Sequence, residues 1–162
     1  MKKVKHYMRS DVLFVRPDFS VFDVAKVFSK NHISGAPVVE RGRVTGMISI
    51  SDITKFMSIR LVKSDVLSDL ITHDPNSMSI MLLALVKMGK DYADFKKELE
   101  RMSHFQVKDM MSRTVVAVSP DAPLFEAAGL MDKYDVNRLP VIEGSKLIGI
   151  ITRADLLRAL ID

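Results

Sequence analysis

Shifting the sequence by 103 positions lays its two ends on one another without a gap, and this internal repeat constrains the fold more than any other feature. Val4-Lys5-His6-Tyr7-Met8 falls on Val107-Lys108-Asp109-Met110-Met111. Arg16-Pro17-Asp18 falls on Ser119-Pro120-Asp121, and Phe22 and Ala25 fall on Phe125 and Ala128. Pro37-Val38-Val39-Glu40 matches Pro140-Val141-Ile142-Glu143, and Gly46, Ser49 and Asp52 match Gly149, Thr152 and Asp155. Prolines, glycines and aspartates held in one register along a whole unit mark a duplication.

Each unit reads the same way. In the second, residues 115–118 predict a short strand stopped by Ser119-Pro120-Asp121, followed by a helix over 123–134. Leu124, Ala127, Ala128, Leu130 and Met131 lie at helical spacing along it. A strand over 139–142, a turn over 143–146 and an apolar strand over 147–151 come next, and residues 152–155 open a helix over 156–161. The first unit copies this through 12–15, 21–30, 37–40, 44–48 and a helix from about Ser51. The order β-α-β-β-α belongs to the α+β class. A sheet this small leaves an apolar face uncovered, so the units are expected to pack sheet to sheet as a pseudo-twofold module with a cleft on either side of the axis.

Residues 1–60 and 107–162 hold the two repeats, and residues 61–106 have no counterpart. There the first helix continues through Leu61, Val66, Leu67, Leu70 and Ile71, and Asp74-Pro75-Asn76-Ser77 breaks it. An apolar helix rich in methionine and leucine is expected over 77–90, then an amphipathic one over 91–103 with Tyr92, Phe95, Leu99 and Met102 on one stripe. Two readings fit this helical insertion: it packs on the module's own flank, or it is an oligomer or partner surface.

Composition narrows the function. At 162 residues, 48% hydrophobic and 27% charged, the chain is neither disordered nor fibrous. The absence of cysteine excludes a disulfide framework, a zinc–thiolate site and a cysteine nucleophile, and fits a reducing compartment. The net charge of +4 tolerates an anionic ligand or nucleic acid without demanding either. No basic stripe with interleaved aromatics favours nucleic acid. The apolar stretch over 78–88, interrupted by Ser79 and Lys87, is short of the roughly 20 residues that span a bilayer. The N-terminus lacks the apolar core of a secretory signal. A soluble cytoplasmic protein without membrane contact is therefore expected. His6, His32, His73 and His104 have no metal-site spacing, and neither a G-x-S-x-G elbow nor a G-x-x-x-x-G-K-[ST] loop occurs. Asp52 and Asp155 end different repeats, so they are not expected to work as an acid–base pair, and no catalysis is expected.

The strongest local signal is G-x-x-[ST]-x-x-D, found once per repeat: Gly46, Ser49 and Asp52, then Gly149, Thr152 and Asp155. Each copy stands where a strand ends and a helix begins. The hydroxyl can cap the helix, the free N–H groups attract an anion, and the aspartate sits favourably in the first turn. A carboxylate there can accept two hydrogen bonds from a vicinal diol such as ribose. The motif reads equally as a plain helix cap, but its recurrence at matched positions favours a binding site.

The β-α-β-β-α unit with its Pro-Val strand and this ending resembles the cystathionine-β-synthase (CBS) domain, and two in tandem resemble a stand-alone Bateman module. The resemblance covers 4–60 and 107–162 and leaves out the insertion, which is longer than the usual linker. It implies a non-catalytic sensor binding an adenine nucleotide or adenosyl compound (AMP, ADP, ATP or S-adenosylmethionine) in inter-repeat clefts, with no catalytic cofactor or metal. Carried over by position, one cleft joins Thr152 and Asp155 to Val12, Leu13, Ile33, Ser34, Gly35 and Ala36. The other joins Ser49 and Asp52 to Thr114, Val115, Val136, Asn137, Arg138 and Leu139. Arg153 and Arg138 are candidate phosphate ligands, each with an alternative reading as a surface charge, and His32 reads as a helix-end residue. The resemblance also implies a homodimer through the helices after the motif aspartates and an effector protein on another chain. A ligand-free interaction module acting through the insertion, or a nucleic-acid binder, stays open as an alternative.

Overall fold

The computed structural model describes residues 2–61 and 100–161. The helix expected over 77–90, and most of that expected over 91–103, lie outside the described residues. In the first repeat the elements are α1 (Val21–Asn31), β1 (Gly35–Glu40), β2 (Arg43–Ser49) and α2 (Ile50–Leu61). The second begins with a short helix α3 (Val107–Met110), followed by α4 (Leu124–Lys133), β3 (Arg138–Glu143), β4 (Lys146–Thr152) and α5 (Arg153–Ile161). Shifted by the repeat, the strands of the two copies have the same bounds, and β2 and β4 alternate buried and open residues identically.

Local chemistry sets these boundaries. Ser20 Oγ accepts the Asp23 N–H at 3.1 Å while Asp23 returns a bond to the Ser20 N–H at 3.0 Å, a capping box that starts α1. The helix ends at His32, which adopts the left-handed conformation with φ 52°. Arg41 and Gly42, both at positive φ, turn β1 into β2, and Gly144, also at positive φ, begins the turn from β3 into β4. The result is two separate two-stranded sheets, β1-β2 and β3-β4. In the second, Val141 faces Gly149 and Ile142 faces Leu147, so Ile148 is the extra residue of a bulge.

The opening strands expected over 12–15 and 115–118 shrink to one parallel bridge each, Val15 with Val38 and Val118 with Val141. Val15 donates to the Pro37 carbonyl and accepts from the Val39 N–H; Val118 does the same with Pro140 and Ile142. A parallel ladder would next require an N–H two residues on, and there stand Pro17 and Pro120, which have none.

The chain forms two compact units, and each draws on both repeats. One comprises Met1–Val15, Pro37–Met47 and Arg113–Asp162; the other comprises Arg16–Ala36 and Ile48–Ser112. The cause is a reciprocal exchange of lead segments. In the first unit the Val4 N–H donates to the Ala122 carbonyl, Lys5 to Pro120, and Leu124 to Lys2. In the second unit the repeat-related bonds recur: Val107 to Phe19, Lys108 to Pro17, and Val21 to Phe105. Val4, on a 3-10 turn over Val4–His6, is fully buried with Val118, Ala122, Ala127, Met131, Leu139, Val141 and Ile151. Lys3 and Lys5 both reach Asp121 Oδ1, at 3.0 and 2.9 Å, and hold its carboxyl down at about 2.

Candidate functional site

Both copies of G-x-x-[ST]-x-x-D form the turn that their spacing implies. At the start of α2, Asp52 Oδ2 accepts the Ser49 N–H at 2.8 Å and the Ser49 hydroxyl at 2.6 Å, and Ser49 Oγ accepts the Asp52 N–H at 3.2 Å. At the start of α5, Asp155 Oδ2 accepts the Thr152 N–H at 2.9 Å and its hydroxyl at 2.7 Å, with 3.3 Å for the return bond. These are capping boxes, so the helix-cap reading of the motif holds in both repeats. One carboxylate oxygen satisfies the cap. The copies part in how deeply the carboxylate is buried.

Asp52 is half-buried, and both of its cap bonds fall on Oδ2. Asp155 is 1% exposed, the single buried charged residue among those described. Its Oδ1 lies 3.3 Å from an Arg158 guanidinium nitrogen and 3.7 Å from Arg9 Nε. A buried carboxylate needs such compensation, because desolvation otherwise penalises its charge.

Arg9 reaches Asp155 because the lead segment lies along β4. Arg9 and Ile150 exchange both backbone hydrogen bonds at 2.9 Å, and Arg158 ties in the preceding turn by donating to the Tyr7 carbonyl at 3.0 Å. That approach explains the motif glycine of the second repeat. A Cβ on Gly149 would stand 2.5 Å from Met8 Sδ and 3.2 Å from the Arg9 carbonyl oxygen. Arg158 was missed at the level of sequence, although its i+3 spacing from Asp155 was a signal that could have found it. For Arg9 there was no such signal, since only the docked lead segment brings it across 146 positions of sequence.

The remaining expected residues fall in matched places. The Ile50 N–H donates to the Ser34 carbonyl at 2.9 Å, and the Arg153 N–H to the Asn137 carbonyl at 3.1 Å. Each helix start is therefore tied to the segment before the Pro-Val strand of its own repeat. Gly35 and Ala36 begin β1 and are buried; Ile33 is half-buried before it. Arg138 begins β3 opposite Thr152, and Leu139 is fully buried opposite Ile151, with Val136 packed against the same core. Burial pushes the Arg138 guanidinium down from its ordinary value. Arg153 donates from Nε to Asn137 Oδ1 at 3.2 Å and from its terminal nitrogen to the Met131 carbonyl at 3.1 Å, which clamps the end of α4 to the start of α5. Val12 and Val115 are half-buried, while Leu13 and Thr114 are exposed. Among the described residues no cluster of metal-ligating side chains occurs, and no helix is long and apolar enough to cross a membrane.

The CBS domain model matches residues 4–59 and 107–162. Among curated proteins, the uncharacterized protein MJ1426 of Methanocaldococcus jannaschii is 37% identical, over 98% of this chain and 90% of its own. The CBS domain pair of protein MJ0100, solved in complex with 5′-methylthioadenosine and S-adenosyl-L-methionine, is similar in fold at 19% identity. Its TM-score is 0.69, over 99% of this chain and 96% of that one. CBSX2, solved in complex with AMP, is 24% identical with a TM-score of 0.65, over 99% of this chain and 97% of that one.

Proposed function

This chain belongs to the CBS domain family as a tandem pair, and from that premise we propose that it is a non-catalytic regulatory module for an adenosine-containing ligand. The ligand class is AMP, ADP, ATP or S-adenosylmethionine, held by its ribose at a motif aspartate. The observation that carries this reading is the division of labour within the Asp52 carboxylate. Oδ2 satisfies the helix cap, which fixes the group at the positive end of α2, and the half-buried carboxylate so placed has in Oδ1 a second oxygen able to accept from a ligand. A vicinal diol donates to such an acceptor at little reorganisation cost, because the carboxylate already stands in position. Neighbouring folds solved with AMP and with S-adenosylmethionine support the ligand class.

The finer reading follows the same line. The module acts in the cytoplasm, as a homodimer, on an effector protein carried by another chain. Leu157, Leu160 and Ile161 of α5 are 63%, 82% and 87% exposed, an apolar face that favours pairing through this helix. A ligand shifts the effector only by its differential affinity for two arrangements of the module.

Calorimetric titration with AMP, ATP and S-adenosylmethionine tests the proposal on protein stripped of bound nucleotide. Binding of one of them is expected, weakened more than about tenfold in Asp52→Ala, as the loss of a hydrogen bond to a charged group entails. Silence with all three ligands would transfer the function to a ligand-free interaction module.

A further inference from the structure

Arg153 opens α5, and its side chain reaches back to the connection between α4 and β3. We propose that Arg153 is a positioning residue rather than a phosphate ligand: it holds that connection in the form that binds the nucleoside part of the ligand. This assignment rests on the nucleotide reading above, with residues 136–139 as ligand-contacting backbone, and adds to it the side chain that shapes them.

Three observations carry it. The first is how the guanidinium is engaged. Nε donates to Asn137 Oδ1 at 3.2 Å and a terminal nitrogen to the Met131 carbonyl at 3.1 Å. These N–H groups make up one edge of the planar fork, the kind of edge with which arginine grips a phosphate bidentately. Here that edge is turned onto the protein.

The second is where the bonds converge. The Met131 carbonyl also accepts the Val136 N–H at 3.0 Å, so the end of α4 and the entry to β3 meet at one oxygen. Between them the chain passes through Asp135 at φ 49°, a conformation that non-glycine residues seldom adopt and that surrounding bonds must hold.

The third comes from the repeat. Shifted by 103 positions, the backbone ties recur: the Phe28 carbonyl accepts the Ile33 N–H at 3.1 Å, and the Ser34 carbonyl accepts the Ile50 N–H at 2.9 Å. His32 takes the positive φ of Asp135. Arg153, however, corresponds to Ile50, whose side chain has no donor. The same connection thus forms in the first repeat without a guanidinium. In the second repeat the clamp is added to a backbone frame that folds without it, and a segment so preorganised binds with less ordering cost.

The experiment compares adenosine with AMP, by calorimetric titration of the full chain, Arg153→Ile and Arg153→Lys, with thermal unfolding as the check on folding. Isoleucine is the first repeat's own residue, and lysine keeps the charge but lacks the planar fork. Both variants should bind adenosine and AMP more weakly by one common factor, roughly three- to tenfold, leaving the ratio of the two affinities unchanged. A loss confined to AMP, recovered in Arg153→Lys, would make Arg153 a phosphate ligand and overturn the assignment. Unchanged affinities in the folded variants would overturn it as well, as would an unaltered protein that takes AMP, ATP or S-adenosylmethionine but not adenosine. Silence of the unaltered protein toward all four compounds would instead overturn the nucleotide reading, and this assignment with it.

Discussion

Asp121 illustrates how one side chain joins distant parts of the chain. Lys3 and Lys5, more than a hundred positions away in sequence, both bond its Oδ1, the Lys5 contact being the larger cause of a carboxyl pKa near 2 against 3.8 for an unperturbed aspartate. Because the folded value is the lower, the unfolded chain binds more protons as acid is added. The stabilisation is therefore complete above about pH 4 and is lost as pH falls through about 2. In Asp121→Asn the urea-unfolding free energy should lose this part of its acid limb, and the gap to the unaltered protein should narrow at high salt. An acid limb of unchanged slope would mean that the lysines do not hold this carboxylate in solution.

At the scale of elements, the repeat reproduces backbone detail as well as order. Both helices that follow the opening bridge are succeeded by a non-glycine residue at positive φ: His32 at 52° caps α1, and Asp135 at 49° follows the Tyr134 cap of α4. Such a residue costs about 1–2 kcal/mol that glycine avoids. His32→Gly should therefore raise stability by about 1 kcal/mol, after allowing for the greater freedom of glycine in the unfolded chain. Thermal unfolding reads this directly, and an unchanged or lower midpoint would show that the His32 ring contributes contacts of its own. The hairpins and the main helices were legible from hydrophobic spacing and from the Gly and Pro punctuation. The opening strands were overestimated because the apolar runs over 12–15 and 115–118 resemble strands, while the prolines two residues past each bridge remove the donor that a ladder needs. The short helices at the lead of each repeat were missed, since three or four residues carry no periodicity.

For the molecule as a whole, the consequential feature is the exchange of lead segments. Val4 belongs by sequence to the first repeat and by packing to the core of Val118, Leu139 and Ile151. Val4→Ala should cost on the order of 2 kcal/mol, from lost burial and the cavity left behind. Hydrogen exchange should register that loss in β3, β4 and α4, far from the substitution in sequence. A loss confined to α1, β1 and β2 would contradict the exchange.

The sequence by itself determined the duplication, the element order, the two capping turns and the residues standing in them, because those depend on interactions a few positions apart. The family resemblance was legible in the same short-range features. Tertiary structure decided which repeat each lead segment serves and, through it, what becomes of each motif aspartate. An ion pair between Arg9 and Asp155 depends on where a segment 146 positions away docks along β4, and no local preference encodes that. The same three-residue spacing thus yields a half-buried carboxylate in one repeat. In the other it yields a buried one held between two arginines.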